Sequence, residues 1–396
     1  MRRLFFYIAN KQLLLFFMKR NPKFLFQKIE DKTIVWSEHA NEYLLLEDTT
    51  ATIIERLCAG DSIQKIATEL AHDLELPLDT AIDFIVDLEK EIKTEKAEKT
   101  LKTAAIATVI KKPKLFEYIK YYKVNELFFK VAFSSEYELY LIHPKFAHLE
   151  VASKNNPSHT FTVFSKNQCI YFYVDNQFIN TWNHKEIHFF QGKFSMEFLQ
   201  KIHQKEESQW LGVFHASAVS NGKKAVLFLG DSGNGKSTSL ALLQANGFAC
   251  LADDFVPVAS KTQEVYSFPA AISIKKNSLE TLLPLYPQLA HSAEYHFKGL
   301  NKIVRYLQPN NADFISHLPC KDVVFIKYEK NSDLKFDKIS KMTAFIKLVP
   351  DSWLSPIKEN AQLFLEWFDG LNCYQITYSE NEKMIATVSK IFKNKL

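Results

Sequence analysis

Between Ala225 and Leu243 the chain reads as a strand, a glycine-rich loop and a helix in immediate succession. Ala225–Leu229 is a five-residue apolar run with the length of a buried strand. Gly230-Asp231-Ser232-Gly233-Asn234-Gly235-Lys236-Ser237-Thr238 follows, and Leu240, Ala241, Leu242 and Leu243 then open a helix. This is G-x-x-x-x-G-K-[ST] in the strand-before, helix-after setting that the motif requires. Its glycines let backbone N–H groups turn inward as an anion nest. Lys236 brings a cation to the outer phosphates of a nucleotide, and the Ser237 hydroxyl suits magnesium. The helix N-terminus adds partial positive charge. The chain has only ten glycines in 396 residues, against a usual ~7%. A sequence this poor in glycine that places three of them within six positions is using them for local backbone geometry.

A phosphate loop binds nucleotide without naming a reaction, and the flanking residues say more. His215 lies in Phe214-His215-Ala216-Ser217-Ala218-Val219, read as a strand leading to the loop. Asp253 and Asp254 follow the apolar run Phe248–Ala252, which predicts the next strand. Adjacent strand ends bring their residues to one edge of a sheet, where ligands sit in α/β folds. One carboxylate there can serve magnesium, and the other can accept a proton from an attacking hydroxyl.

With these residues in place, the segment resembles the HPr serine kinase/phosphorylase family and its kinase-like relatives, which share a P-loop fold with phosphoenolpyruvate carboxykinase. The family places a His 21 residues before the loop Lys, and the second Asp of an Ala-Asp-Asp 18 after it. His215 to Lys236 is 21 here, and Lys236 to Asp254 is 18. Gly247 and Ala252 also match, over roughly Val213–Val258 without a gap. The resemblance implies an α/β kinase domain using ATP and Mg2+. Lys236 and the loop would hold the phosphates, and Ser237 the metal, with Asp253 and Asp254 beside it. Asp254 would accept the proton of a substrate hydroxyl, next to His215. The family's later arginine has one candidate here, Arg305, because the other four arginines fall within the first 56 residues. A bidentate guanidinium would suit phosphoryl oxygens. The family's glycine-rich segment tied to phosphorolysis is not visible. Tyr266-Ser267-Phe268-Pro269-Ala270-Ala271-Ile272-Ser273 stands instead, like the related-kinase branch.

Residues Lys23 to about Thr94 read as a small α+β, winged-helix-like module. Thr33–Trp36 and Glu42–Leu46 read as strands. Three helical patterns follow. One ends at Gly60, one begins with Asp61 as N-cap, and one begins near Asp79. This part resembles PqqD-like domains, most of all in the Ile-Gln-Lys-Ile-Ala-Thr-Glu-Leu run within Ser62–Leu74. The resemblance implies a leader peptide bound as an added strand. Short aromatic and β-branched runs between Leu115 and Phe190 (Glu126–Phe133, Tyr137–Ile142, Thr160–Phe164, Ile170–Tyr173 and Ile187–Phe190) predict a β-rich subdomain, closed by a helix over Phe194–His203. The expected division is an extension over 1–22, a peptide-recognition domain over 23–98, a linker and β-rich subdomain over 99–206, and a P-loop domain over 207–396.

Composition narrows the partners. Lys plus Arg at 49 against Asp plus Glu at 45 leaves +4, which argues against a phosphate-tracking nucleic-acid binder. Five widely spaced cysteines with no C-x-x-C argue against a disulfide framework or zinc ribbon and fit a reducing cytoplasm. The apolar runs Leu4–Ile8 and Leu13–Met18 fall short of the ~20 residues that span a bilayer, so no membrane partner is expected. A weak surface anchor and an extension from an upstream start, with Met18 opening the true N-terminus, are both open. The expected activity is ATP-dependent phosphorylation of a Ser or Thr hydroxyl on a ribosomally made precursor peptide. The alternatives are a kinase of an HPr-like protein or small metabolite, and a non-catalytic nucleotide-gated peptide-binding module. A homo-oligomer is compatible with each.

Overall fold

The computed structural model describes residues 24–93, 112–297, 302–311, 313–314 and 316–395. The expected extension over 1–22 and most of the expected linker lie outside them. The fold is mixed α/β with four sheets among the described residues. It divides into two units, one holding residues 24–93 together with 340–369, the other holding the rest.

In the first unit the strands Phe24–Ile29, Lys32–Ser37 and Glu42–Glu47 form an antiparallel meander. The first of them is a strand that the sequence pattern did not announce. The helices Asp48–Ala59, Ile63–Asp73 and Leu78–Lys93 follow, close to the expected positions. Ser62, not Asp61, caps the second helix, its hydroxyl accepting from the Lys65 N–H. The Asp61 carboxylate is engaged by Arg56 Nε at 2.9 Å instead. Ile53, Ile66, Ala67, Leu70, Ala81 and Ile85 meet in the helical core.

The same unit is completed by the helices Lys341–Leu348 and Lys358–Asp369. Tyr43 packs edge-on against Phe345 and Phe364, with ring centroids 6.1 and 5.2 Å away. Asn41 accepts from Trp36 Nε1 at 3.0 Å and donates to the Leu354 carbonyl at 3.1 Å. Residues 340–369 thus group with residues 24–93, whereas the expected domain ran continuously over 207–396. An amphipathic helix shows that it has an apolar face, not which distant core that face joins.

In the second unit Tyr118–Val124, Leu127–Phe133, His159–Lys166, Cys169–Val174 and Gln177–Asn183 form a five-stranded sheet in chain order. Its second and third strands run parallel, joined by a crossover through the helix Glu136–Phe146. Tyr137–Ile142 is thus helix where its aromatic, β-branched run suggested strand. The reason is local: Ser135 and Glu138 form a capping box, the carboxylate accepting from the Ser135 N–H at 2.7 Å. Ile187–Phe190 is likewise the first turn of the helix Ile187–His203 rather than a strand. Phe146, Phe161, Phe194 and Phe198 interlock beneath this sheet. This sheet belongs to the same compact unit as the loop and does not stand as a separate subdomain.

The larger sheet places Ala249–Asp253, Ser217–Ser220, Ala225–Leu229, His317–Tyr328 and Asn372–Tyr378 side by side. The last three run parallel, so their C-terminal ends share one edge. The start of His317–Tyr328 also pairs with Glu264–Tyr266, which leads through Val256–Ala259 to Trp210–Phe214. Phe228, Leu240, Leu243, Ile274, Val324 and Ile376 form the core between sheet and helices. A small sheet of Ile272–Lys275, Lys302–Leu307 and Tyr295–Phe297 covers one flank.

Candidate active site

The loop Gly230–Gly235 leaves the strand Ala225–Leu229 and enters the helix Lys236–Ala245. Gly230 has φ 149° and Gly233 φ 102°, values that side-chain-bearing residues rarely adopt. The Asn234 N–H donates to the Asp231 carbonyl at 3.1 Å, and the Tyr328 N–H donates to the Asn234 carbonyl at 3.0 Å. The loop is therefore pinned to the end of the neighbouring parallel strand. Asp231, Ser232 and Gly233 are exposed at its tip, and Lys236 is buried, its ammonium donating to the Gly230 carbonyl. Ser239 and Tyr378 share a hydroxyl–hydroxyl hydrogen bond of 2.9 Å that anchors the helix. Thr238 Oγ1 lies 2.7 Å from Ser278 Oγ.

Asp253 ends the strand Ala249–Asp253, opposite Ser217 in register. It is buried and accepts from Ser217 Oγ at 2.6 Å, from Ser237 Oγ at 3.0 Å and from the Ser273 N–H at 3.1 Å. Burial raises its pKa, as does the neighbouring Asp254 charge, against the downward pull of those three donors. Ser237 and Asp253 together offer hydroxyl and carboxylate oxygens, the hard donors that magnesium takes. Among the described residues no group of three or more His, Cys, Asp or Glu is placed to hold a metal by itself. The fit is therefore to an ion that arrives with further oxygen ligands from phosphate and water.

His215 occupies the break between Trp210–Phe214 and Ser217–Ser220 rather than a continuous strand. Asp254 lies just past its strand at φ 67°, held there by its N–H donating to the Ala216 carbonyl at 2.9 Å. Asp tolerates this left-handed conformation better than most residues. The turn that holds His215 thus also fixes Asp254, and His215 Nδ1 sits 2.9 Å from Asp254 Oδ1. Lys145 Nζ approaches the other carboxylate oxygen, Oδ2, at 3.6 Å. It comes from the helix Glu136–Phe146, whose Lys145 carbonyl accepts from the Ala271 N–H at 2.9 Å.

A cavity of about 270 Å³ opens beside these groups, lined by His215, Asp254, Lys236, Ser237 and Thr238. Asp231, Ser232, Gly233 and Gly235 also line it, as do Ser273, Lys275 and Ser278. Gly230, Asn234 and the buried Asp253 support it from behind through the contacts described above. Arg305 is not among the lining residues. Its Nη1 donates to the carbonyls of Leu289, Ala290 and Ser292 at 2.6, 2.9 and 3.1 Å. Lys145, Ser273, Lys275 and Ser278 were not read from the sequence. Lys145 lies three residues past the run Tyr137–Ile142 that was taken for strand, and the others lie 20 or more residues past the motif with no spacing to mark them.

No protein-family model matches the chain, and no curated protein matches it. Among solved structures, the HPr(Ser) kinase/phosphatase from Coxiella burnetii is similar at 12% identity and a TM-score of 0.21, over 46% of this chain and 94% of that one.

Proposed function

We propose that the protein is an ATP-dependent kinase that phosphorylates a Ser or Thr hydroxyl of a ribosomally made precursor peptide. The observation that carries this reading is the His215–Asp254 pair, 2.9 Å apart, lining one cavity together with Lys236 and Ser237. Nucleotide phosphates would lie against the loop N–H groups, the Lys236 ammonium and the N-terminus of Lys236–Ala245. Ser237 and Asp253 would hold Mg2+, which when bound neutralises phosphate charge. Asp254 takes the proton of the acceptor hydroxyl as its oxygen bonds to the γ-phosphorus. The bond from that phosphorus to the β–γ bridging oxygen breaks, and ADP carries the electron pair away. His215 orients the Asp254 carboxylate, and Lys145 approaches its other oxygen at 3.6 Å.

The peptide acceptor is supported by the first unit. Its meander leaves the strands Phe24–Ile29 and Glu42–Glu47 at the two edges of their sheet. An edge strand offers unpaired N–H and C=O groups to an extended peptide.

The test is magnesium-dependent transfer from radiolabelled ATP to a candidate precursor peptide, sought among short reading frames beside this gene. Lys236→Ala and Asp254→Asn should each abolish transfer while circular dichroism stays unchanged, and a peptide without its leader should be a poor acceptor. Full activity in both variants would remove the mechanism, and equal activity on the leaderless peptide would remove the leader reading.

A further inference from the structure

The strand Ile272–Lys275 is short, but its alternation is sharp. Ile272 and Ile274 are buried in the core at 0% and 1% exposure. Ser273 and Lys275, two apart, therefore share the opposite face, and both line the cavity beside the loop. This face is fixed at both ends. The Ser273 N–H donates to Asp253 Oδ2 at 3.1 Å, and Ser278, three residues past Lys275, meets Thr238 of the loop helix at 2.7 Å. Leu279 and Leu282, just beyond, pack into the core that holds Leu240 and Leu243. Between those two anchors the Lys275 ammonium donates to Ser232 Oγ at 2.8 Å, at the exposed tip of the loop.

We infer that Lys275 is a second phosphate-binding cation, reaching the nucleotide from the strand Ile272–Lys275 while Lys236 reaches it from the loop helix. This rests on the nucleotide reading of the loop given above. The hydroxyl of Ser232 is a neutral partner, whereas a phosphate oxygen carries negative charge and adds coulombic attraction to the hydrogen bond. A phosphate entering the loop therefore draws the ammonium from Ser232 onto itself. Two cations lining one cavity with the loop make a clamp whose grip grows with phosphate charge. Lys275 thereby takes the place expected of Arg305, whose guanidinium already serves three carbonyls elsewhere. The charge supplied this way is a point charge on a flexible stem, which suits a group that must hold the outer phosphates and release the product.

The experiment is titration of the full chain with fluorescent N-methylanthraniloyl ATP and ADP in the presence of Mg2+, comparing wild type with Lys275→Ala, Lys275→Arg and Lys236→Ala. Loss of one hydrogen bond to a charged group should weaken ATP binding about 10–100-fold in Lys275→Ala. ADP binding should fall less, so the preference for ATP over ADP shrinks, and Lys275→Arg should restore most of it. Lys275 lies at a strand end with a partly exposed side chain, so the variants should melt like wild type. If Lys275→Ala binds ATP within about twofold of a wild type that loses binding on Lys236→Ala, the clamp is refuted while the loop reading stands. If wild type itself binds neither nucleotide, the loop reading falls and the clamp with it.

Discussion

Gly230 is the position in the site where one added carbon has the most calculable effect. A Cβ there would come within 2.6 Å of the Ile326 backbone carbonyl oxygen and 3.4 Å of Asn234 Cβ. The carbonyl belongs to the long central strand His317–Tyr328 and cannot swing aside as a flexible side chain would. Gly230 also holds φ 149°, so Gly230→Ala combines backbone strain with a backbone clash. Gly233 supplies the control. It holds φ 102°, but an added Cβ would meet nothing within 4 Å. Backbone strain alone costs about 1–3 kcal/mol for a residue held in such a region. Overpacking adds about 1–3 kcal/mol. Gly233→Ala should therefore cost about 1–3 kcal/mol and Gly230→Ala about 2–6 kcal/mol, wherever the loop geometry is kept. At about 2–4 °C per kcal/mol for a unit of this size, the two variants should separate clearly in scanning calorimetry. If the loop relaxes instead, Gly230→Ala should keep its Tm and lose nucleotide affinity more than Gly233→Ala does. Equal Tm and equal affinity for the two variants would refute the steric argument.

Two further outcomes follow from the packing. Burial pushes the pKa of both His148 and His203 down to about 4 from an ordinary value near 6.5. The unfolded chain binds more protons between those values, so the stability these histidines contribute is fully present above about pH 6.5 and is lost as pH falls towards 4. Each should account for about 2 kcal/mol of lost stability between pH 7 and 5. Urea unfolding of His203→Gln at both pH values should show a smaller acid loss than wild type, and an equal loss would contradict the assignment. Phe364, fully buried against Tyr43, should cost about 3–5 kcal/mol as Phe364→Ala. Limited proteolysis should then cut within residues 24–93 first, although the substitution lies some 270 positions further along, and an unchanged cleavage pattern would dissociate the two segments.

The parts of the site that the sequence makes legible are those carried by local geometry. The loop needs glycine at positive φ followed by a helix, and Asp253–Asp254 needs only the end of an apolar strand. Both signals lie within a few residues of the groups concerned. His215 was placed near the right edge, although on a strand rather than in the turn between two. Lys145 and Lys275 escaped because a lysine has no pattern of its own, and only tertiary packing brings these two to the loop. Arg305 was the one candidate for the later arginine that the family resemblance implies, and a position in sequence says nothing about where a guanidinium points. The two misread strands share a cause: aromatic and β-branched runs of four to six residues fit either period. At Tyr137 and at Ile187 the capping boxes upstream decide for helix.

The first unit has a consequence in time as well as in space. Its sheet and first three helices are complete by Lys93, but Phe345 and Phe364, which cover Tyr43, belong to residues synthesised some 250 positions later. At about 5–20 residues per second that interval is roughly 10–50 s on the ribosome. Throughout it the face around Tyr43 waits without its aromatic cover, while the strands and helices of the second unit are already emerging. The first unit is therefore among the last parts of the described chain to reach its final packing, although its sheet is made before any strand of the second unit. Any shortened gene that keeps only the beginning will yield a sheet whose cover was never translated.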